Sequence, residues 1–314
     1  MRDSRITMRS LSTLSTRPAQ EVSVTSTAKL VTASPRDDPR YDRRRVIVYF
    51  VALVVFYGAV VAVVRPGREG GGGLSLGIML SPTMGALAAV LLAHGRIRFG
   101  RPTRHLLLAF LPPTVVLLAT WAVALVGGVE VHPRNLPWVV ALSPLLALSS
   151  ALPAAGEEFG WRGFLWPLLR RHCDFGASAV VMLPIWWLYH LPVILFWGYG
   201  SVSGLPAFTV AITGFTLFVC FLTERSGAVW PSTLAHGAWN GLVATAYLTG
   251  SRDAIPACTP GCPGFAGNHY LFTGPQNLLG EFGWIAAVSM LLLGLACTWW
   301  NGRHPVPSVT AGRA

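Results

Sequence analysis

Eight apolar runs, each near the length of a bilayer crossing, fill most of the chain between residues 46 and 300. They fall at about 46–64, 74–93, 106–126, 138–156, 178–197, 206–222, 228–247 and 283–300. A helix needs roughly 20 apolar residues to cross the hydrocarbon, where no water satisfies a bare backbone. A helix closes its own hydrogen bonds, so the expected fold is all-α, a polytopic transmembrane helical bundle of about eight spans. The fourth and sixth runs are the weakest, because Pro144 and Pro153 interrupt the one and the other is short. Charge agrees: 12% of the 314 residues are charged, against roughly 25% in soluble domains.

The net charge of +11 does not point to nucleic acid. The arginines cluster beside apolar runs, where the positive-inside rule expects them, and form no basic stripe with interleaved aromatics. Arg43–Arg45, then Arg96, Arg98, Arg101 and Arg104, then Arg162, Arg170 and Arg171, then Arg225, Arg303 and Arg313 all fall on one side if the count is eight. The opposite segments hold Arg134 and Arg252, with Arg65 and Arg68 a mild exception. Both termini are therefore expected to be cytoplasmic in a multi-pass protein of the cell membrane. Trp138, Trp197, Trp284, Trp299 and Trp300 near span ends fit interfacial belts.

Three domains are expected: a disordered cytoplasmic tail at 1–45, polar and without apolar periodicity; a transmembrane domain at 46–300; and a C-terminal tail at 301–314. No apolar core near the start suggests a signal peptide. Residues 163–172, apolar on one side and basic at the end, read as a short interfacial helix after the fourth span. Cys173, Cys220 and Cys297 are scattered, while Cys258 and Cys262 lie close together on the expected outer side. A disulfide between the latter two and a pair of free thiols both stand open.

Ionisable groups inside a bilayer are costly and mark function by default. The embedded set is small: Glu157 and Glu158 ending the fourth span, His190 in the fifth, and His236 with Asn240 in the seventh. Glu158 and Arg162 stand four apart and can pair along one helix face, which leaves Glu157 without a local counter-charge. A carboxylate in a low-dielectric setting holds its proton more readily and becomes a usable general base. The plain alternative is two solvated acids at a helix end, although the helix dipole disfavours anions there. His190 follows Trp186 by four; taken singly, an imidazole in a span more often bonds a neighbouring helix. The tryptophans here read as lipid-facing or packing residues. His236 and Asn240 also share a face, and Gly237 between them permits close approach; singly they read as an interhelical polar patch. Together the three groups supply a base, a water-orienting imidazole and an amide for an oxyanion, the parts of a carbonyl hydrolase. Equally, Glu157, His190 and His236 would suffice to ligate one zinc with an open position. There is no H-E-x-x-H, G-x-S-x-G, P-loop or C-x-x-C.

At these residues the chain resembles the CPBP intramembrane proteases, also called the CAAX prenyl protease 2 or Abi family. EEFGWR at 157–162 matches the E-E-x-x-x-R motif, WWLYH at 186–190 stands where that family has F-x-x-x-H, and HGAWN at 236–240 matches H-x-x-x-N/D. The resemblance covers about 140–245, with a catalytic core expected at 138–247. Trp186 replaces the usual Phe, which suggests altered packing and not lost chemistry. The resemblance implies that Glu157 activates a water with His190, that His236 and Asn240 bind the oxyanion or complete the site, and that Glu158, Arg162 and Trp186 support it. It leaves zinc and a metal-free glutamate mechanism both open. It also implies a membrane-embedded or lipidated protein substrate, of C-a-a-X type in some members. The Ala-, Arg-, Gly- and Leu-rich composition suggests a bacterial member. The leading expectation is an intramembrane endopeptidase. A proton-coupled transporter is an alternative that matching halves or paired half-helices would favour, and neither is visible. A non-enzymatic immunity or scaffold protein on the same fold is another.

One geometric demand follows. His190 lies about 12 residues into its run, or roughly 18 Å at 1.5 Å per residue, whereas Glu157 ends its own. They meet only if the fourth helix continues past Glu158, if the fifth starts late near Pro184, or if the helices tilt.

Overall fold

A computed structural model of the chain describes residues 38–63, 71–102, 104–197, 199–244, 249–251 and 270–306. Residues 1–37 of the expected tail, together with Cys258 and Cys262, lie outside them. The helices are α1 (Asp42–Val63), α2 (Gly71–Leu92), α3 (Leu111–Leu125), α4 (Leu136–Gly160), α5 (Trp166–Leu169), α6 (Phe175–Trp197), α7 (Leu205–Ser226), α8 (Trp230–Trp239) and α9 (Trp284–Arg303). Six helical stretches among the described residues are long and apolar enough to cross a membrane: Pro39–Val63, Arg104–Leu125, Pro133–Leu169, Phe175–Trp197, Val202–Ser226 and Trp284–Arg303. The protein is a multi-pass helical membrane bundle.

The bundle has the inside-out character that lipid demands. Val51, Val54, Val55, Leu148, Leu152, Val180, Leu188, Leu292 and Leu295 point outward, while Ser81, Thr120, Glu157, Glu158, Arg162, Ser178, Thr216, Ser232 and His236 are buried. Lipid is as apolar as leucine, so packing and internal polar contacts hold such helices together. Trp138, Trp284, Trp299 and Trp300 are exposed near helix ends.

Helix ends meet at an arginine-rich face. Arg45 donates from Nε to Ala93 O at 3.3 Å and from Nη2 to His94 O at 3.2 Å, joining the start of α1 to the end of α2. Asp42 gathers Arg45, Arg171 at 3.2 Å and His172 at 2.8 Å. Arg170 reaches Glu224 through two bonds, at 2.8 and 3.1 Å, tying the end of α5 to the end of α7. This pairing raises the Arg170 guanidinium above its ordinary value. Arg225 donates to His304 O, so the start of α1 and the end of α9 lie at the same end of the bundle as these arginines.

Two segments differ from expectation. The fourth helix does not stop at Glu158. It runs to Gly160, passes through a π segment at Trp161–Leu165 and continues as α5. The expected interfacial helix is therefore the end of the fourth helix, and Trp161, Arg162, Gly163, Phe164, Leu165, Trp166 and Leu168 are buried. The basic end that suggested an amphipathic helix is satisfied inside the fold by Asp42 and Glu224. The expected span at 228–247 is the ten-residue α8 followed by a π segment, Asn240–Ala244, walled almost wholly by other helices.

Close approach brings α8 to α4. A Cβ on Gly237 would lie 2.5 Å from the backbone of Ala151, and one on Gly160 would lie 2.3 Å from the backbone of Pro82 in α2. Gly237→Ala is expected to cost about 1–3 kcal/mol by overpacking, read as a lower unfolding midpoint in detergent, since no flexible side chain can yield there. Pro82 inside α2 removes the N–H that would pair with Ile78 O. That carbonyl instead accepts from Tyr189 Oη and Ser81 Oγ, both at 2.7 Å. The bond seats Tyr189, the neighbour of His190, on α2.

At the end of the bundle away from the arginines, three short strands form a cap: β1 (Glu130–Val131), β2 (Thr249–Ser251) and β3 (Phe272–Gly274). Their order is β1-β3-β2, with β1 antiparallel and β2 parallel to β3. Leu271, Phe272 and Leu279 pack there with Val139, Leu242 and Ile285.

Candidate active site

The continuation of α4 carries Glu157 into the interior. It lies twelve residues before Leu169, or about 18 Å along the helix at 1.5 Å per residue, and it is 2% exposed. The depth mismatch with His190 is thereby removed. The acids are no longer at a helix C-terminus, and the dipole objection does not apply. The widened turn of a π segment follows each motif, Trp161–Leu165 after the acids and Asn240–Ala244 after His236. Such π turns recur at functional sites.

The two acids have different partners. Glu158 Oε1 accepts from Arg162 Nη1 at 3.0 Å and lies 2.9 Å from His236 Nδ1, with all three residues buried. Arg162 is thus not one of the loop arginines but an internal counter-charge. Its guanidinium also lies 4.0 Å over the Trp186 ring. Glu157 has no cationic partner among the described residues. Its Oε2 accepts from Trp186 Nε1 at 2.8 Å and from Trp161 Nε1 at 3.3 Å. Trp186 is therefore more than packing: its indole N–H reaches the carboxylate, which a phenyl ring cannot do.

His190 is half-buried and bonds through Nδ1 to Trp186 O at 2.8 Å. A carbonyl only accepts, so Nδ1 carries the hydrogen and Nε2 is left with its lone pair when the ring is neutral. His236 is 3% exposed and meets the Trp186 ring edge-on at 5.4 Å. Asn240 begins the second π segment, half-buried, and its side chain makes no hydrogen bond among the described residues. Glu157 and His236 are both tied to Trp186, by hydrogen bond and ring contact, and His190 is tied to its backbone. No hydrogen bond joins Glu157 to His190 directly.

A three-ligand zinc site is not formed. Zinc needs three protein donors and an open position. Among the described residues no three His, Cys, Asp or Glu side chains gather to hold an ion. Glu157, His190 and His236 in this arrangement do not fit the centre that the sequence left open.

One carboxylate escaped sequence reasoning. Glu281, before α9, accepts from Tyr199 Oη and from Trp239 Nε1 at 2.8 Å. Tyr199 lies against the His190 ring at 6.3 Å, and Trp239 precedes Asn240. Glu281 thus straps the two sides of the site together from a loop with no apolar run to flag it.

Comparison with curated proteins finds no match. A family model does match: residues 136–242 fit the one described as type II CAAX prenyl endopeptidase, Rce1-like. The matched segment begins with α4, contains every motif residue from Glu157 to Asn240 and ends before the Glu281 loop. Over residues 136–242 the chain is therefore similar to the Rce1-like type II CAAX prenyl endopeptidases, of the CPBP family.

Proposed function

We propose that the protein is an intramembrane endopeptidase that hydrolyses a peptide bond in a membrane-embedded or lipidated protein. The observation that carries this reading is Glu157: a buried carboxylate held by two neutral donors and in no ion pair among the described residues, on the same Trp186 whose carbonyl fixes His190 with its Nε2 available. Glu157 takes a proton from water as general base, and His190 Nε2 accepts a hydrogen bond from the same water and orients it. The hydroxide adds to the scissile carbonyl. Asn240 donates to the oxygen that becomes negative, joined by His236 Nε2 when that ring carries both protons, because its Nδ1–H is held by Glu158. Collapse expels the amine, which takes the proton from Glu157. Glu158 and Arg162 hold His236 through the Nδ1 contact and do not themselves touch the substrate.

The arginine-rich end faces the cytoplasm in this reading, with both termini on that side. The site lies about 18 Å inward along α4, so the peptide enters through the bilayer or from its surface. The test is hydrolysis of farnesylated C-a-a-X peptides and single-span reporter proteins by the purified chain in nanodiscs, against Glu157→Gln. Cleavage by the wild type alone is the expected result. Equal cleavage by both removes the endopeptidase role from this site. Substrate-driven proton flux without cleavage establishes a carrier, and protection of cells by the triple variant at Glu157, His190 and His236 establishes a non-enzymatic role.

A further inference from the structure

We infer that Trp186 is a positioning residue that makes the two oxygens of Glu157 unequal, anchoring Oε2 and leaving Oε1 for water. The inference rests on Glu157 being the base, and it explains why an indole occupies a place where the resembling family has phenylalanine.

Two N–H groups converge on Oε2, from Trp186 at 2.8 Å and Trp161 at 3.3 Å. A carboxylate oxygen offers about two acceptor sites, so Oε2 is filled. Oε1 accepts no hydrogen bond among the described residues, and it is not one of the buried side-chain atoms sealed without a partner. Glu158 differs: its Oε2 is sealed and unpartnered, and the residue is 0% exposed against 2% for Glu157. Of the four oxygens, Glu157 Oε1 is the one that water reaches with no hydrogen bond to displace.

The Trp186 ring cannot swing away. The Arg162 guanidinium covers it at 4.0 Å, Phe215 stacks on it at 5.8 Å and His236 meets its edge at 5.4 Å. Its backbone carbonyl also accepts from His190 Nδ1 at 2.8 Å. One residue therefore orients the base through its side chain and the imidazole through its main chain. The same ring faces the guanidinium that neutralises Glu158, so the two acids are held in register about a shared aromatic plane.

Two variants separate the N–H from the ring. Trp186→Phe removes the donor and part of the face. Replacement of Trp186 by 3-benzothienylalanine exchanges the N–H for sulfur and keeps the bicyclic shape. With a farnesylated C-a-a-X peptide in nanodiscs, both are expected to lower kcat on the order of tenfold to a hundredfold, the scale of one hydrogen bond to a charged group, with KM within about twofold. A purely structural role would lower the folded fraction of Trp186→Phe and spare the isostere. A second readout needs no substrate: the indole ¹H–¹⁵N resonance of Trp186 in micelles is expected to shift on Glu157→Gln, more than that of Trp161. An unshifted resonance, or an isostere with wild-type kcat, overturns the inference. If Glu157→Gln itself keeps the wild-type rate while the resonance shifts, the clamp stands and the role of Glu157 as base falls.

Discussion

Arg162→Met is expected to destabilise the bundle by about 3–5 kcal/mol, the largest loss of stability from any single change in the site. The side chains of Arg162 and Glu158 are both 0% exposed, and their contact is 3.0 Å. Methionine keeps most of the stem volume and removes the charge, so Glu158 is left buried with His236 as its remaining partner. The variant also loses the cation–π contact with Trp186, worth about 0.5–2 kcal/mol. Two Arg162 nitrogens, Nε and Nη2, lack partners, and relief of that cost places the net effect toward the lower bound. Denaturant titration in micelles measures it. Glu158→Gln combined with Arg162→Met is expected to recover most of the loss, because the buried carboxylate that Arg162 neutralised is then gone as well. A loss under about 1 kcal/mol in the single variant would show that water or His236 already compensates Glu158.

Glu157→Gln is expected to lower turnover by about two to four decades, or roughly 2.7–5.5 kcal/mol in the barrier, with little change in stability. Glutamine has the shape of glutamate, and its carbonyl oxygen can still accept from Trp186 and Trp161. No ion pair is broken, because Glu157 forms none among the described residues. What is lost is the ability to take a proton. Activity and stability therefore separate at this pair of adjacent acids: Glu157→Gln costs rate, and disturbing Glu158–Arg162 costs stability.

The helices were legible because apolar length has one structural meaning in lipid. Residue depth was less so. An apolar run ends where arginines begin, and Arg162 was read as the start of a loop. It is instead an internal ion paired with the acid one turn earlier, and the helix carries on to Leu169. The Glu158–Arg162 contact was readable from its spacing of four. The two π segments leave no pattern in composition, and strands of two or three residues are too short to show a period of two. Trp186 was placed correctly beside His190, but which atom an indole N–H will find depends on a neighbouring helix. Glu281 had no motif at all, and only the tertiary fold brings it to Tyr199 and Trp239.

The most direct test of the central claim, that Glu157 and His190 act as one unit on one water, is a double-mutant cycle on kcat. The rates of Glu157→Gln, His190→Ala and the double variant are measured on one farnesylated C-a-a-X peptide. Groups that serve a single step are strongly non-additive. The expected result is a double variant no slower than Glu157→Gln alone. Multiplied losses, or a His190→Ala variant at the wild-type rate, would contradict it.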